Sequence, residues 1–533
     1  MAFPSAIALR LGRLSLDQRA AATAPPGPVL CVAPAGSGKT TTLVARIAWL
    51  IASGTPATSI TAITFNRRAA AELEARLDEE LARSEVASGS VRVRTFHALG
   101  LEVLREAGRP TGPIADRPAV LRSLAPRASP AEISNLDGAV SRLKVELGVT
   151  AAVVARDPQA GPIARAFVAY EQANVSSGRI DFDDLVLGAI RALEQDTALL
   201  ARWRARCVEL LVDEVQDVDR TQLRLALLLA APANRIFLVG DDDQSIYGWR
   251  LADVRRVLAL DTRLPGLRRV HLVTNYRCPR PVVERSARLV AHNRERFAKT
   301  IRAGPDASGR LVLAPDGGED DERIGRAIER WPQDGSTRAV LARTNAELVP
   351  AAVAAIERNL PFRAGDLHLP LDDPLLDRAL GDLEAAARLE PGVALLVLIG
   401  RLRDSDPAGR STFATLLGCA PRFADPASLA NALRDRRRRS GQLRQDDAPF
   451  SLATVHATKG LEFDHVIVLH DADRFPSHRA IDEAADPHRA LEEERRLAYV
   501  AWTRARRSLT LLYDPAAPSR FLLEAFDRRE LGP

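Results

Sequence analysis

Apolar residues along this chain fall into two alternating rhythms. Short β-prone runs occur at Val29–Val32, Ile60–Phe65, Val91–Thr95, Leu210–Val212 and Ile236–Val239. Between the first of them lie stretches of helical period, Lys39–Ile51, Ala69–Leu81 and Ala98–Glu106. Repeated strand–helix units predict a parallel sheet covered on both faces. From about Arg109 to Gly178 the strand signal disappears, and Pro110, Pro113, Pro126, Pro130 and Pro162 punctuate helical stretches. A second set begins near Val270, with strand candidates at Ala339–Ala342, Val466–Leu469 and Leu509–Leu512. Residues 371–447 are again mostly helical. The pattern therefore predicts an α/β chain with two parallel-sheet lobes, each carrying a helical insertion. The first lobe takes residues 1–108 and 179–270, with its insertion at 109–178. The second takes 271–370 and 448–533, with its insertion at 371–447.

The first strand runs straight into Ala33-Pro34-Ala35-Gly36-Ser37-Gly38-Lys39-Thr40. A buried strand, a Gly-rich turn and Gly-Lys-Thr opening a helix form a phosphate-binding loop. Its glycines let backbone N–H groups wrap phosphates, while the helix N-terminus faces them with positive potential. Lys39 reaches the β/γ-phosphates as a point charge and the Thr40 hydroxyl holds Mg²⁺. The general pattern has Gly at the first position, where this chain has Ala33.

Composition sharpens the reading of Lys39. Of 74 basic residues only Lys39, Lys144, Lys299 and Lys459 are lysines. A chain that uses Arg almost everywhere keeps Lys in the loop, where a compact ammonium differs from a planar guanidinium. The net charge of +5 permits a nucleic-acid surface without demonstrating one. Cys31, Cys207, Cys278 and Cys419 lie far apart with no C-x-x-C spacing, which reads as free thiols in a reducing compartment. Arg10 and Arg13 interrupt the N-terminal apolar stretch, and the longest apolar runs are far too short to span a bilayer. A cytoplasmic location is expected.

Two further strand ends carry chemistry. Leu210-Leu-Val-Asp213-Glu214 places two carboxylates after an apolar strand. They are either a capped strand end or an Mg²⁺ ligand beside a group that orients the attacking water. Phe237-Leu-Val-Gly240-Asp-Asp-Asp-Gln244-Ser-Ile-Tyr247-Gly-Trp249-Arg250 follows the next strand. Gln244 there could report a γ-phosphate. Tyr247 and Trp249 are either core or base-stacking aromatics. Arg434-Asp-Arg-Arg-Arg-Arg439 reads as a solvated helix face or a phosphate contact.

In the string Gly240-Asp-Asp-Asp-Gln244-Ser-Ile-Tyr247-Gly-Trp249-Arg250, and over the stretch from Gln18 to Phe521, the chain resembles the UvrD/Rep/PcrA family of superfamily 1 DNA helicases. The family's loop reads A-x-x-G-x-G-K-T, which accounts for Ala33. Further family strings follow in order: Ile63-Thr-Phe65-Asn66, Thr95-Phe96-His97, Asp181-Phe-Asp-Asp184, Val212-Asp-Glu-Val-Gln-Asp217, Asn275-Tyr276-Arg277, Ala342-Arg-Thr-Asn345, Val455-His456-Ala-Thr-Lys-Gly-Leu-Glu-Phe463, and Glu492 to Ala505 with Thr503-Arg504. The resemblance implies two RecA-like P-loop NTPase lobes gripping one strand, with ATP and Mg²⁺ in the cleft between them. It implies an ATP-bound loop of Ala35, Gly36, Ser37, Gly38, Lys39, Thr40 and Thr41, with Gln18 reading adenine, Tyr276 stacking on it and Glu462 on the ribose. Lys39, Asp213, Glu214 and Gln244 become catalytic, with metal on Thr40 and Asp213. Arg277 and Arg504 become arginine fingers from the second lobe.

Thr64, Phe65, Thr95, His97, Tyr247, Trp249, Asn345, Thr454 and His456 become single-strand contacts, with loop capping the alternative for each lone polar residue. The implied partners are single-stranded DNA and 3′-tailed duplex, with 3′→5′ movement and no membrane. The implied process is DNA repair or replication restart. Three departures stand out. Thr41 occupies a position where the family commonly has Arg. The stretch after Pro361-Phe-Arg-Ala-Gly365 becomes Asp366-Leu-His-Leu-Pro370. The second accessory domain is reduced to 371–447, which raises the alternative of a translocase or motor subunit that displaces proteins or needs a partner to unwind. The chain's end soon after Phe521 is expected to leave no room for a C-terminal nuclease or partner-binding tail.

Overall fold

The computed structural model describes residues 5–82, 91–157, 159–365, 367–406 and 409–532. Asp366, which opens the departing stretch after Gly365, lies outside them. Two compact units emerge, Met1–Arg277 with Val290–Asp306, and Cys278–Leu289 with Ala307–Pro533.

In the first unit, six strands form one parallel sheet: β1 (Val29–Val32), β2 (Ile60–Thr64), β3 (Arg92–Thr95), β4 (Glu209–Val212), β5 (Ile236–Gly240) and β6 (Arg268–His271). Their order is β3-β2-β4-β5-β1-β6. Strand alternation explains the unbroken apolar run of β1. Leu30 and Val32 enter the core with Phe96, Val186, Trp203 and Leu238. Val29 and Cys31 enter the opposite core with Leu43, Ile47, Phe237 and Val239. With both of its faces covered, β1 has nowhere to place a polar residue.

The sheet extends one strand further than the apolar pattern predicts. Arg268–His271 pairs in parallel with Val29–Val32, so His271 belongs to the first sheet rather than the second lobe. The reason is physical: β6 is an edge strand with its first two residues exposed, so no apolar run marks it. A short parallel pair, β7 (Thr274–Asn275) with β8 (Arg302–Ala303), follows in the same unit.

The 109–178 insertion folds as helices around its own core of Leu121, Ile133, Val140, Phe167 and Tyr170. An ion cluster ties it to the lobe. Asp181 caps the Phe182–Gln195 helix and receives Lys144 Nζ at 2.9 Å, Arg117 at 2.9 Å and the Tyr170 hydroxyl at 2.9 Å. Among the described residues, Glu171, Asp181 and Asp184 are close enough together to hold a cation. The Lys144 ammonium already contacts all three.

The second unit holds a five-stranded parallel sheet of β9 (Arg310–Pro315), β10 (Arg338–Ala342), β11 (Phe450–Thr454), β12 (Phe463–Leu469) and β13 (Ala505–Tyr513). The order is β11-β10-β12-β13-β9. Its insertion is built on the helices Leu376–Leu389, Leu395–Ser405, Arg410–Cys419 and Pro426–Leu443, closed over Leu380, Leu383, Ile399, Phe413 and Leu429. The arginine run lies on the last of these helices and is consumed by carboxylates: Arg434 with Glu384, Arg436 with Glu357, Arg437 with Asp377 and Arg438 with Asp435. Among the described residues no helix is long and apolar enough to cross a membrane.

Candidate nucleotide site and nucleic-acid interface

The phosphate loop sits where β1 ends. Ala33 N–H donates to the Gly240 carbonyl at 2.8 Å, so the loop starts as the continuation of the β1–β5 ladder. Gly36 and Gly38 both take positive φ, +67° and +82°, and Gly38 caps the Lys39–Ala52 helix. Only glycine occupies those conformations without strain. The Ser37 hydroxyl closes the turn onto the Pro34 carbonyl at 2.7 Å, and Lys39 Nζ reaches back to the Ala33 carbonyl at 3.4 Å. Thr40 and Thr41 begin the helix, half-buried. Gln18 braces the turn from outside: its Nε2 donates to the Ser37 carbonyl at 2.9 Å, while its Oε1 accepts Ser15 N–H in a capping box.

Asn275, Tyr276 and Arg277 lie against this loop. Tyr276 N–H donates to the Gly36 carbonyl at 2.8 Å, and Asn275 Oδ1 accepts Arg277 N–H at 2.9 Å. A Cβ on Gly36 would fall 2.6 Å from Asn275 Oδ1 and 2.8 Å from Arg277 Cβ. Tyr276 is 50 % exposed beside the loop. Arg277 was expected from the second lobe. The structure instead makes it the last residue of the first unit's opening segment, directly after Tyr276, whose N–H is bonded to the phosphate loop.

Two strands away, Asp213 N–H donates to the Ile63 carbonyl at 2.8 Å, which fixes the end of β4. Burial, and then the neighbouring Glu214 carboxylate, push the Asp213 carboxyl well above the usual range, against the pull of Lys39. A divalent cation held by Asp213 and the Thr40 hydroxyl would relieve that charge, so these residues fit Mg²⁺. Glu214 has φ +51°, a left-handed backbone rare for a non-glycine residue. Such strain is stored most often where function requires it.

Gln216 is a link that sequence reasoning missed. Its Nε2 donates to Glu214 Oε2 at 2.5 Å, and its Oε1 accepts Asp241 N–H at 3.0 Å. It therefore joins the Asp213-Glu214 turn to the Asp241–Gln244 turn. Gln244 Nε2 in turn donates to Asp241 Oδ2 at 2.7 Å. A buried amide two residues beyond a candidate catalytic Glu was the available signal.

The loop that carries Gln244 continues into aromatics. Phe65 and Tyr247 stack with centroids 5.1 Å apart and planes 11° from parallel. Tyr247 meets Trp249 at 6.2 Å, and the Arg250 guanidinium covers both Phe65 and Trp249 at 5.5 and 5.6 Å. Trp249 is 67 % exposed, which excludes a core role. Phe182, to which the sequence assigned no role, is 53 % exposed and meets His97 edge-on at 5.6 Å. Its signal was an aromatic bracketed by aspartates at a helix start. Burial lowers the His97 pKa. Thr95 caps the Phe96–Glu106 helix and the Thr64 hydroxyl donates to the Asn66 carbonyl, local duties for both.

The remaining candidates lie in the second unit. Asn345 is exposed just after β10, and Thr454 ends β11 with His456 in the turn beyond. Burial, with Arg343 and Lys459 nearby, lowers His456 to about 4. Glu462 is exposed and paired with Arg506 at 3.4 Å. Arg504 is buried, its Nε donating to the Val500 carbonyl at 2.9 Å and its Nη1 to the Leu461 carbonyl at 3.0 Å.

Comparison with known proteins gives a consistent result. The UvrD/REP helicase N-terminal domain matches residues 14–265, and the UvrD-like helicase C-terminal domain matches residues 424–515. Similar proteins include ATP-dependent DNA helicase UvrD2 of Mycobacterium tuberculosis, 31% identical over 95% of this chain and 80% of that protein. ATP-dependent DNA helicase Rep of Escherichia coli is 27% identical over 96% of this chain and 94% of its own length. DNA helicase II of Escherichia coli is 27% identical over 94% and 84%. With two RecA-like parallel sheets, a complete phosphate loop and both family domains in place, the chain belongs to the UvrD-like helicase family.

Proposed function

We propose that this chain is an ATP-dependent DNA helicase that translocates 3′→5′ on single-stranded DNA in DNA repair or replication restart. One observation carries the reading. Gln244, hydrogen-bonded into the Asp241 turn, and the exposed Trp249 stand five residues apart on one loop leaving β5. A group that senses a γ-phosphate and a face that stacks on bases therefore share one piece of backbone. Lys39 supplies a compact charge to the β/γ-phosphates, and Thr40 and Asp213 hold Mg²⁺, which supplies charge neutralisation when bound. Glu214 orients the attacking water, and Arg277 and Arg504 add guanidinium charge to the γ-phosphate. Gln18, Tyr276 and Glu462 serve the base and ribose. Hydrolysis changes the loop's hold on phosphate, and the shared backbone passes that change to the strand as altered affinity.

The test is strand separation by the purified chain on 3′-tailed and 5′-tailed duplexes, with ATP. Unwinding of the 3′-tailed substrate alone is expected, together with ATPase stimulated by single-stranded DNA. An ATPase indifferent to single-stranded DNA refutes the motor reading. A second reading, a translocase or motor subunit that works with a protein partner, is favoured by one observation. Leu389, Leu396 and Val397 expose their side chains on the reduced 371–447 domain. Brisk unwinding by the isolated chain removes that reading.

Trp249→Ala gives a narrower test. Stacking on an aromatic contributes about 1–3 kcal/mol per base, so single-strand affinity is expected to fall by roughly five- to 150-fold. DNA-stimulated turnover should fall more than basal turnover. Equal loss of affinity, stimulated and basal rates would mark Trp249 as a structural residue.

A further inference from the structure

Beneath the Asp241-Asp242-Asp243 turn lies a charge cluster that the proposed mechanism does not use. The three carboxylates are buried, and so is the cation that joins them, Lys299, whose side chain is fully inaccessible. Its Nζ lies 2.7 Å from Asp241 Oδ1 and 2.9 Å from Asp243 Oδ2, and it also bonds Asp242. Arg296 adds a bidentate pair to Asp243, at 3.0 and 2.7 Å. Phe297 N–H donates to Asp242 Oδ2 at 2.8 Å. All of these donors come from the Val290–Asp306 segment, which joins the first unit although the chain on both sides of it belongs to the second.

Asp241 is the member that matters for chemistry. One of its carboxylate oxygens accepts from Lys299 and the other from Gln244 Nε2, while its N–H donates to the Gln216 amide that holds Glu214. We infer that Lys299 is a positioning residue for ATP hydrolysis. Its ammonium fixes the Asp241 carboxylate that orients the Gln244 amide, and through the Asp241 backbone it steadies the Gln216–Glu214 pair. The inference rests on the roles proposed above for Gln244 and Glu214. It also explains why this position is one of four lysines in a chain with 74 basic residues. An ammonium donates to three carboxylates around one point, whereas a guanidinium fork lies in a plane. Burial alone would lower the Lys299 pKa, but the three aspartates outweigh it and raise it, so the cation stays charged.

Removing Lys299 alone would strand buried carboxylates, so the test uses a charge-compensated pair. Lys299→Met with Asp242→Asn removes one charge of each sign, and Asp242→Asn alone is its control. Asp241→Asn is an independent variant that leaves Lys299 in place, because an amide cannot accept from Lys299 and Gln244 with separate oxygens. ATP turnover with saturating oligo-dT, affinity for a fluorescent ATP analogue and the melting temperature are measured for each. A small displacement of catalytic groups is costly, so kcat is expected to drop about tenfold or more in the double variant and in Asp241→Asn. Nucleotide affinity should change less than twofold, and the Asp242→Asn control should keep most of its kcat.

A merely structural lysine would lower the melting temperature and nucleotide affinity together. That result, or a native-like kcat in Asp241→Asn, overturns the inference even where the Lys299 variant does not fold. Gln244→Ala separates the two levels. If it loses kcat while the double variant keeps it, the proposed function stands and only the role of Lys299 falls. If Gln244→Ala turns over normally, the role proposed for Gln244 falls, and that of Lys299 with it.

Discussion

Lys39→Ala is expected to reduce ATP turnover by on the order of 10²–10³-fold, the cost of removing one preorganised charge-stabilising group. In this structure the side chain is half-buried and makes one long hydrogen bond, to the Ala33 carbonyl at 3.4 Å. Its removal therefore breaks little packing, although it takes a neighbouring positive charge from the buried Asp213 carboxyl, so the melting temperature should move only modestly. The aromatic face of Phe65, Tyr247 and Trp249 stands on its own stacking contacts. Single-strand affinity without nucleotide should thus stay within a few-fold of wild type. One further effect follows from charge. Lys39 offsets the burial that raises the Asp213 pKa, so its loss raises that pKa further. Rapid ATP turnover in the variant would remove Lys39 from the site, and loss of DNA binding along with turnover would point to misfolding.

The phosphate loop was legible because strand, turn and helix each leave a separate mark. Val29–Val32 is a run buried on two faces, Gly36 and Gly38 need positive φ, and Lys39 stands out in an Arg-rich chain. The parallel sheets and both helical insertions were legible for the same reason. What escaped was whatever periodicity does not encode. The polar edge strand Arg268–His271 has no apolar run, so the limit of the first sheet was set before it. Arg296 carries no local signal, and Lys299 only its rarity as one of four lysines. Their meaning lies in a contact spanning more than fifty residues, and only the fold supplies it. Asn275, Tyr276 and Arg277 were legible as a family string but not as part of the first unit. That assignment lies in contacts distant in sequence, among them the Tyr276 hydrogen bond to Gly36 and the pairing of Thr274–Asn275 with Arg302–Ala303.

That close approach makes Gly36→Ala the second large effect. At φ +67° an L side chain costs about 1 kcal/mol or more from backbone strain alone. The methyl group would also stand 2.6 Å from Asn275 Oδ1 and 2.8 Å from Arg277 Cβ. Asn275 cannot step aside, because it is 1 % exposed and its Oδ1 accepts Arg277 N–H. The loop and the Asn275–Arg277 backbone must therefore separate, breaking the Tyr276-to-Gly36 hydrogen bond and displacing the Arg277 guanidinium and Tyr276 ring. A shift near 1 Å in a catalytic constellation costs about 10²-fold, so kcat/KM for ATP should fall by at least that much. Unlike Lys39→Ala, this variant should lose nucleotide affinity together with turnover. Adding Asn275→Ala to Gly36→Ala removes the nearer obstacle and should recover part of the lost affinity, leaving the backbone strain and the Arg277 contact in place. A Gly36→Ala protein with wild-type affinity and rate would show that the 275–277 backbone does not press on this loop in solution. The assignment of Arg277 to the nucleotide would then lose its structural basis.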